Sequence, residues 1–167
     1  MSKQLVVLRH AKAEHGDTLD HDRPLTARGR RDALAAGRWL AERDLRPDLT
    51  VCSTATRATQ TWALVATELG DDIPTSFDHG VYENDLDRLL GLVRDTPEEV
   101  DTLLMVGHNP TFQELVLALA SDGATEDLFA ARHDFGTAAV AVLSVPRHWS
   151  VLDQGAATLT GFTVARG

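Results

Sequence analysis

The sequence predicts an α/β fold, a three-layer α/β/α sandwich with a mostly parallel central sheet. Two patterns predict it. Short apolar runs of strand length alternate along the chain with longer runs whose apolar residues recur at helical spacing. The first strand-like run is continuously apolar, as expected for a strand covered on both faces. The 167 residues suit one domain, spanning 1–167, that can bury a substantial core.

Leu5-Val6-Val7-Leu8 is the first expected strand. A helix follows from Thr26, a plausible N-cap, to about Asp44, with Ala33, Leu34, Gly37, Leu40 and Ala41 able to share a face. Leu49–Cys52 is the second strand and Ala55–Leu69 the second helix. Asp85–Asp95 carries Leu86, Leu89, Leu90 and Val93 on one stripe and reads as the third helix. Leu103–Val106 is the third strand and Phe112–Ala120 the fourth helix. Ala138–Val145 and Ser150–Leu152 read as late strands that a turn at Pro146-Arg147-His148 could join. The tail to Gly167 is expected to complete the sheet edge. Trp39 and Trp62 lie on expected helices and should pack against the sheet. There is no internal repeat, low-complexity tract or linker.

Apolar residues at 43% and charged residues at 25% place the chain among ordinary globular proteins. No apolar run reaches the roughly 18 residues of a membrane-spanning helix. The apolar part of Met1–Arg9 is too short for a secretory signal, so a cytoplasmic protein with no membrane partner is expected. A single cysteine, Cys52, excludes an internal disulfide framework and a cysteine-rich zinc site. A net charge of −9 argues against nucleic acid as a partner. It also means that any phosphate site must concentrate its positive charge locally.

Ligands of open α/β sheets bind beyond the carboxyl ends of the strands. The first expected strand is followed by Arg9-His10, the second by Ser53-Thr54-Ala55-Thr56-Arg57, and the third by Gly107-His108-Asn109-Pro110. Two arginines and two histidines bordering one crevice form an anion site by charge alone. Ser53 or Thr54 can cap the second helix, leaving N–H groups that favour an anion. Arg57, about one turn in, can lean back toward the same mouth. Asn109-Pro110 suits Ncap and N1 of the fourth helix, which sets His108 at another positive helix end. Arginine matches phosphate with paired, charge-assisted hydrogen bonds. Histidine can serve as nucleophile, and the residues alone leave both His10 and His108 as candidates.

Leu8-Arg9-His10-Ala11, Arg23-Pro24-Leu25-Thr26-Ala27-Arg28-Gly29, Cys52–Thr61 and Val106-Gly107-His108-Asn109-Pro110, in this order, resemble the histidine phosphatase superfamily, the phosphoglycerate mutase-like group. Phe135–Ala139 adds weaker support. The short length and the Arg-His-Ala-Lys-Ala opening are most similar to its SixA-type phosphohistidine phosphatase branch. The resemblance implies a phosphoglycerate mutase-like fold and His10 as the phosphorylated nucleophile. Arg9, Arg57 and His108 would hold the phosphoryl oxygens. Arg23, Ser53 and Asn109 would help bind substrate, and no metal or other cofactor would be needed. Alanine follows His10 where the wider superfamily has glycine, which matters if the loop requires positive φ. Larger relatives use an acidic residue to protonate the leaving group. Glu83 is the best candidate here, with Asp85 and Asp87 as alternatives. The partner would be a phosphorylated protein, carrying phosphohistidine, or a small phosphorylated metabolite. The lack of long insertions favours the former. A mutase and a non-catalytic phosphoprotein-binding module are the remaining readings.

Other chemistries fit less well. Four residues separate Cys52 from Arg57, where cysteine phosphatases require five. Cys52 reads as a small buried residue. The histidines show no His-Glu-x-x-His pattern, and Asp20-His21-Asp22 reads as a polar loop rather than a ligand cluster.

Overall fold

The computed structural model describes residues 2–70 and 72–167. The seven strands are β1 (Lys3–Arg9), β2 (Leu49–Cys52), β3 (Thr75–Phe77), β4 (Thr102–Gly107), β5 (Ala120–Gly123), β6 (Ala139–Val145) and β7 (Ala157–Val164). They form one sheet in the order β3-β2-β4-β1-β6-β7-β5. The β1–β4, β2–β4, β2–β3 and β5–β7 pairs are parallel, and only β6 runs against its neighbours β1 and β7. The helices are α1 (Ala27–Glu42), α2 (Thr56–Leu69), α3 (His79–Tyr82), α4 (Leu86–Arg94), α5 (Thr111–Leu119) and α6 (Thr125–His133). None is long and apolar enough to cross a membrane among the described residues.

Strand geometry sends successive side chains to opposite faces. Leu5 and Val7 of β1, with Leu103 and Met105 of β4, therefore join one core with α4 and α5. Val6 and Leu8, with Leu104 and Val106, join a second core under α1 and α2. Helices on both faces explain why these strands read as unbroken apolar runs. Thr26 caps α1 as expected, its hydroxyl accepting from the Gly29 N–H at 2.9 Å. Gly29 is required by a close approach. A Cβ there would lie 2.1 Å from the Lys12 carbonyl oxygen.

Several expectations need correction. Ser150–Leu152 is not a strand. Trp149–Val151 forms a 3-10 turn, and the last strand is β7. Trp149 is fully buried there, donating to the Val100 carbonyl at 2.8 Å. The tail does not simply form an edge, because β6 and β7 are interior and the edges are β3 and β5. Leu34 and Ala41 are not on the buried stripe of α1, which runs through Asp32, Ala33, Ala36, Gly37 and Leu40.

Candidate active site

The carboxyl ends of β1, β4 and β2 lie side by side, and backbone pairing to β4 continues one residue past β1 and β2. The His10 N–H donates to the Gly107 carbonyl and the Ser53 N–H to the Val106 carbonyl, both at 2.9 Å. This fixes His10, Ser53 and His108 on a common floor. Ala138, at φ 61°, donates its N–H to the Arg9 and His10 carbonyls at 3.2 and 3.0 Å, holding the floor from the β6 side. Gly107 is forced by packing, since a Cβ would meet the Phe112 ring at 2.5 Å and Val81 at 2.7 Å.

The His10 and His108 ring centroids are 5.2 Å apart. His10 Nδ1 lies 2.7 Å from the Ala11 carbonyl, which can only accept, so Nδ1 carries the proton and Nε2 keeps its lone pair. Burial, then the positive fields of Arg57, Arg9 and Arg23, lower the His10 pKa to about 4 despite that hydrogen bond. His10 is therefore neutral near pH 7. Burial, with His10 and Arg57 beside it, lowers His108 to about 3. His108 Nε2 lies 2.7 Å from Ser53 Oγ, which accepts from the Ala55 N–H at 3.2 Å. Ser53 can then direct its own proton to Nε2, leaving the His108 proton on Nδ1.

Arg57 is buried in the first turn of α2. Its Nη1 donates to the Asp20 carbonyl at 2.7 Å and its Nη2 to Asp20 Oδ2 at 3.2 Å. Thr61, one turn on, donates to the Arg57 carbonyl and accepts from the Ala11 N–H, at 2.7 and 3.0 Å. Arg9 donates through Nη1 to the Phe135 carbonyl at 3.1 Å, and Asn109 Nδ2 donates to the same oxygen at 2.9 Å. Arg9 Nε, Arg57 Nε and His108 Nδ1 are buried without a hydrogen-bond partner. Three buried unsatisfied polar groups in one place are unusual, and donors of this kind suit an oxyanion.

The cap residue of α2 is Ala55, rather than Ser53 or Thr54, with no side-chain cap. Ser53 instead serves His108. α5 begins at Thr111, preceded by Pro110, although Asn109 Oδ1 still accepts from the Gln113 N–H at 3.2 Å. Ala11 is buried and does not have positive φ, so the loop after His10 does not call for glycine. Arg23 donates to Asp20 Oδ1 at 3.0 Å and to the Glu14 carbonyl at 2.9 Å. Burial pushes the Cys52 thiol well above its ordinary range, so it is a poor nucleophile.

Glu83 stands exposed just after α3, and the hydrogen-bonded residues at this rim are Asp20 and Tyr82 instead. The Tyr82 hydroxyl donates to Asp20 Oδ2 at 2.6 Å, and its ring stands edge-on to His108 at 5.5 Å. That hydroxyl, followed by Arg23 and Arg57, holds the Asp20 carboxyl well below the usual carboxylate range. Asp20 is thus an acceptor rather than a proton donor. Neither residue was singled out for the site from sequence. Asp20-His21-Asp22 forms a 3-10 turn rather than the expected loop, and an aspartate in so short a turn, like a lone tyrosine, carries no periodicity that could mark it.

A neutral histidine with a free ring nitrogen, set among buried cationic donors at the ends of parallel strands, defines an α/β protein equipped for phosphoryl transfer. The chain belongs to the histidine phosphatase superfamily (branch 1), whose family model matches residues 5–114. It is 40% identical over 162 residues to the uncharacterized protein Rv1276c of Mycobacterium tuberculosis (strain ATCC 25618 / H37Rv), covering 95% of this chain and all of the relative. It is 39% identical over 100 residues to the 2,3-bisphosphoglycerate-dependent phosphoglycerate mutase of Methylobacterium sp. (strain 4-46), a match to 57% of this chain and 48% of that one. A solved structure from Nakamurella multipartitia, assigned as a phosphohistidine phosphatase SixA, superposes with a TM-score of 0.87 at 33% identity, covering 99% of this chain and 97% of that one.

Proposed function

We propose that this protein is a metal-independent cytoplasmic phosphatase that transfers phosphate from a phosphohistidine protein onto His10 and then to water. The observation that carries this reading is the pairing of a neutral His10, its Nε2 lone pair free, with buried unpartnered donors on Arg9, Arg57 and His108.

In the first step His10 Nε2 forms a bond to phosphorus as the bond to the leaving nitrogen breaks. Arg9, Arg57 and the His108 Nδ1–H take the phosphoryl oxygens, where charge is spread in the transition state. In the second step water attacks the same phosphorus, inorganic phosphate leaves, and the His10 lone pair is restored. Ser53 orients His108, Asn109 shares the Phe135 carbonyl with Arg9, and Arg23 holds Asp20 at the rim. Metal independence follows from charge, since guanidinium groups supply what a divalent cation would and would repel one. A leaving imidazole can take its proton from water on the distal ring nitrogen before the bond breaks. An alkoxide needs a donor at the bond itself. With Asp20 held ionised and Glu83 exposed, that difference supports phosphohistidine over a phosphomonoester.

The second reading, a phosphatase of small metabolites, is favoured by the partial similarity to a phosphoglycerate mutase. A comparison of a phosphohistidine protein, a phosphohistidine peptide and a panel of sugar phosphates, with His10→Ala as control, separates the two. Faster turnover of the phosphohistidine protein is expected. Preference for a sugar phosphate would move the assignment to the second reading, and release of phosphate by His10→Ala would remove both.

A further inference from the structure

This acidic chain gathers cations on one side of His10. A cavity of about 350 Å³ opens beside it, lined by Arg9, His10, Lys12, Arg23, Arg28 and Arg166 among others. No carboxylate is among its lining groups. Five of the chain's sixteen lysines and arginines thus face one cavity in a protein of net charge −9. Unbalanced charge of this kind attracts an anion.

A phosphoryl group on His10 accounts for part of that charge. It engages Arg9 and, from the floor, Arg57, while Arg23 is paired with Asp20. The fields acting most on His10 come from Arg57, Arg9 and Arg23, and Lys12, Arg28 and Arg166 lie outside that set. Two of the three, Arg28 and Arg166, share an anchoring carboxylate. Asp32 is buried at 1% exposure, and its Oδ2 lies 3.7 Å from Arg28 Nε and 3.5 Å from Arg166 Nη1. Its Oδ1 accepts from the Gly167 N–H at 3.0 Å, which ties the chain end to α1. Arg166 also donates to the Thr137 and Ala165 carbonyls at 2.9 and 2.7 Å. One carboxylate between two guanidinium groups leaves a positive charge over, and the exposed Lys12 adds another.

We propose that the cavity walled by Lys12, Arg28 and Arg166 is a second anion subsite, which takes an oxyanion carried by the rest of the phosphorylated substrate. The inference rests on the phosphatase reading and narrows its substrate to donors with a further carboxylate or phosphate beside the transferred group. In a protein substrate that oxyanion is an acidic side chain flanking the phosphohistidine. In a metabolite it is a second phosphate.

The test measures kcat/KM on matched pairs: phosphohistidine peptides with acidic or neutral flanks, and fructose 1,6-bisphosphate against fructose 6-phosphate. The doubly anionic member of at least one pair should be preferred about tenfold, the worth of one charge-assisted contact. That preference should fall as salt rises. Lys12→Met, a change at an exposed side chain, should remove most of it. Arg28→Gln, which leaves Asp32 paired with Arg166 and removes the surplus positive charge, should do the same. Preference within the peptide pair assigns the oxyanion to a protein, and preference within the sugar pair assigns it to a metabolite. Equal rates within both pairs, or a preference unmoved by both variants, would overturn the subsite while leaving a labelled, active His10 intact. Failure of every donor to label His10 would remove the phosphatase reading and the subsite with it.

Discussion

His10, Ser53 and His108 follow directly on β1, β2 and β4 and are almost fully buried, whereas Asp20 and Tyr82 reach the same pocket from a 3-10 turn (Asp20–Asp22) and a single α-helical turn and remain accessible. The two halves do different work. The floor is held by sheet hydrogen bonds and keeps three buried donor atoms, Arg9 Nε, Arg57 Nε and His108 Nδ1, unpaired and ready for a ligand. The rim is already ion-paired, and the Asp20 carboxylate tempers the charge of Arg57. Buried, preorganised donors act in a low-dielectric site, so floor residues should dominate chemistry and rim residues should adjust affinity.

The sharpest way to break this division is at the nucleophile. His10→Ala should abolish turnover of every phosphorylated substrate in a steady-state assay. Next, Arg57→Ala should lower kcat by about 100- to 1,000-fold, comparable to loss of one oxyanion donor. A loss under tenfold would place Arg57 with the rim.

The floor should also show itself in stability. His10 and His108 titrate near 4 and 3 in the fold but near 6.5 when unfolded. Below pH 6.5 the unfolded chain therefore binds protons that the folded chain refuses, and stability falls as pH drops toward 4. Each histidine should contribute a slope of about 1.4 kcal/mol per pH unit within that window. Urea unfolding across pH 4 to 7 should show this, and His108→Asn should flatten it.

At the rim, Asp20→Asn should tighten vanadate inhibition by roughly threefold, the modest scale of an exposed ion pair. Weaker inhibition would mean that Asp20 supports anion binding rather than competing with it. Smallest of all, Cys52→Ser should leave kcat within about twofold, because the thiol is sealed beneath the site and surface-distant changes of this size act mainly on stability.

The same floor–rim contrast explains what could be read in the sequence. β1, β2 and β4 announce themselves as apolar runs, and Arg9, His10, Ser53 and His108 follow from position at strand ends. Helix periodicity placed α1, α2 and α4 to within about two residues. β3 (Thr75-Ser76-Phe77) and β5 (Ala120-Ser121-Asp122-Gly123) escape detection because, unlike the equally short β2, they carry no apolar run. α6 was missed because a single residue, Ala131, is buried on it, so it has almost no apolar stripe. Asp20 meets Tyr82 across 62 residues, a contact that depends on loop closure rather than local pattern.

The central claim is that His10 carries the phosphoryl group. Wild-type protein mixed with a phosphohistidine donor, quenched in alkali and analysed by mass spectrometry should yield a base-stable, acid-labile phosphate on the peptide holding His10. Phosphate release without any such adduct, or an adduct located on His108 instead, would contradict it.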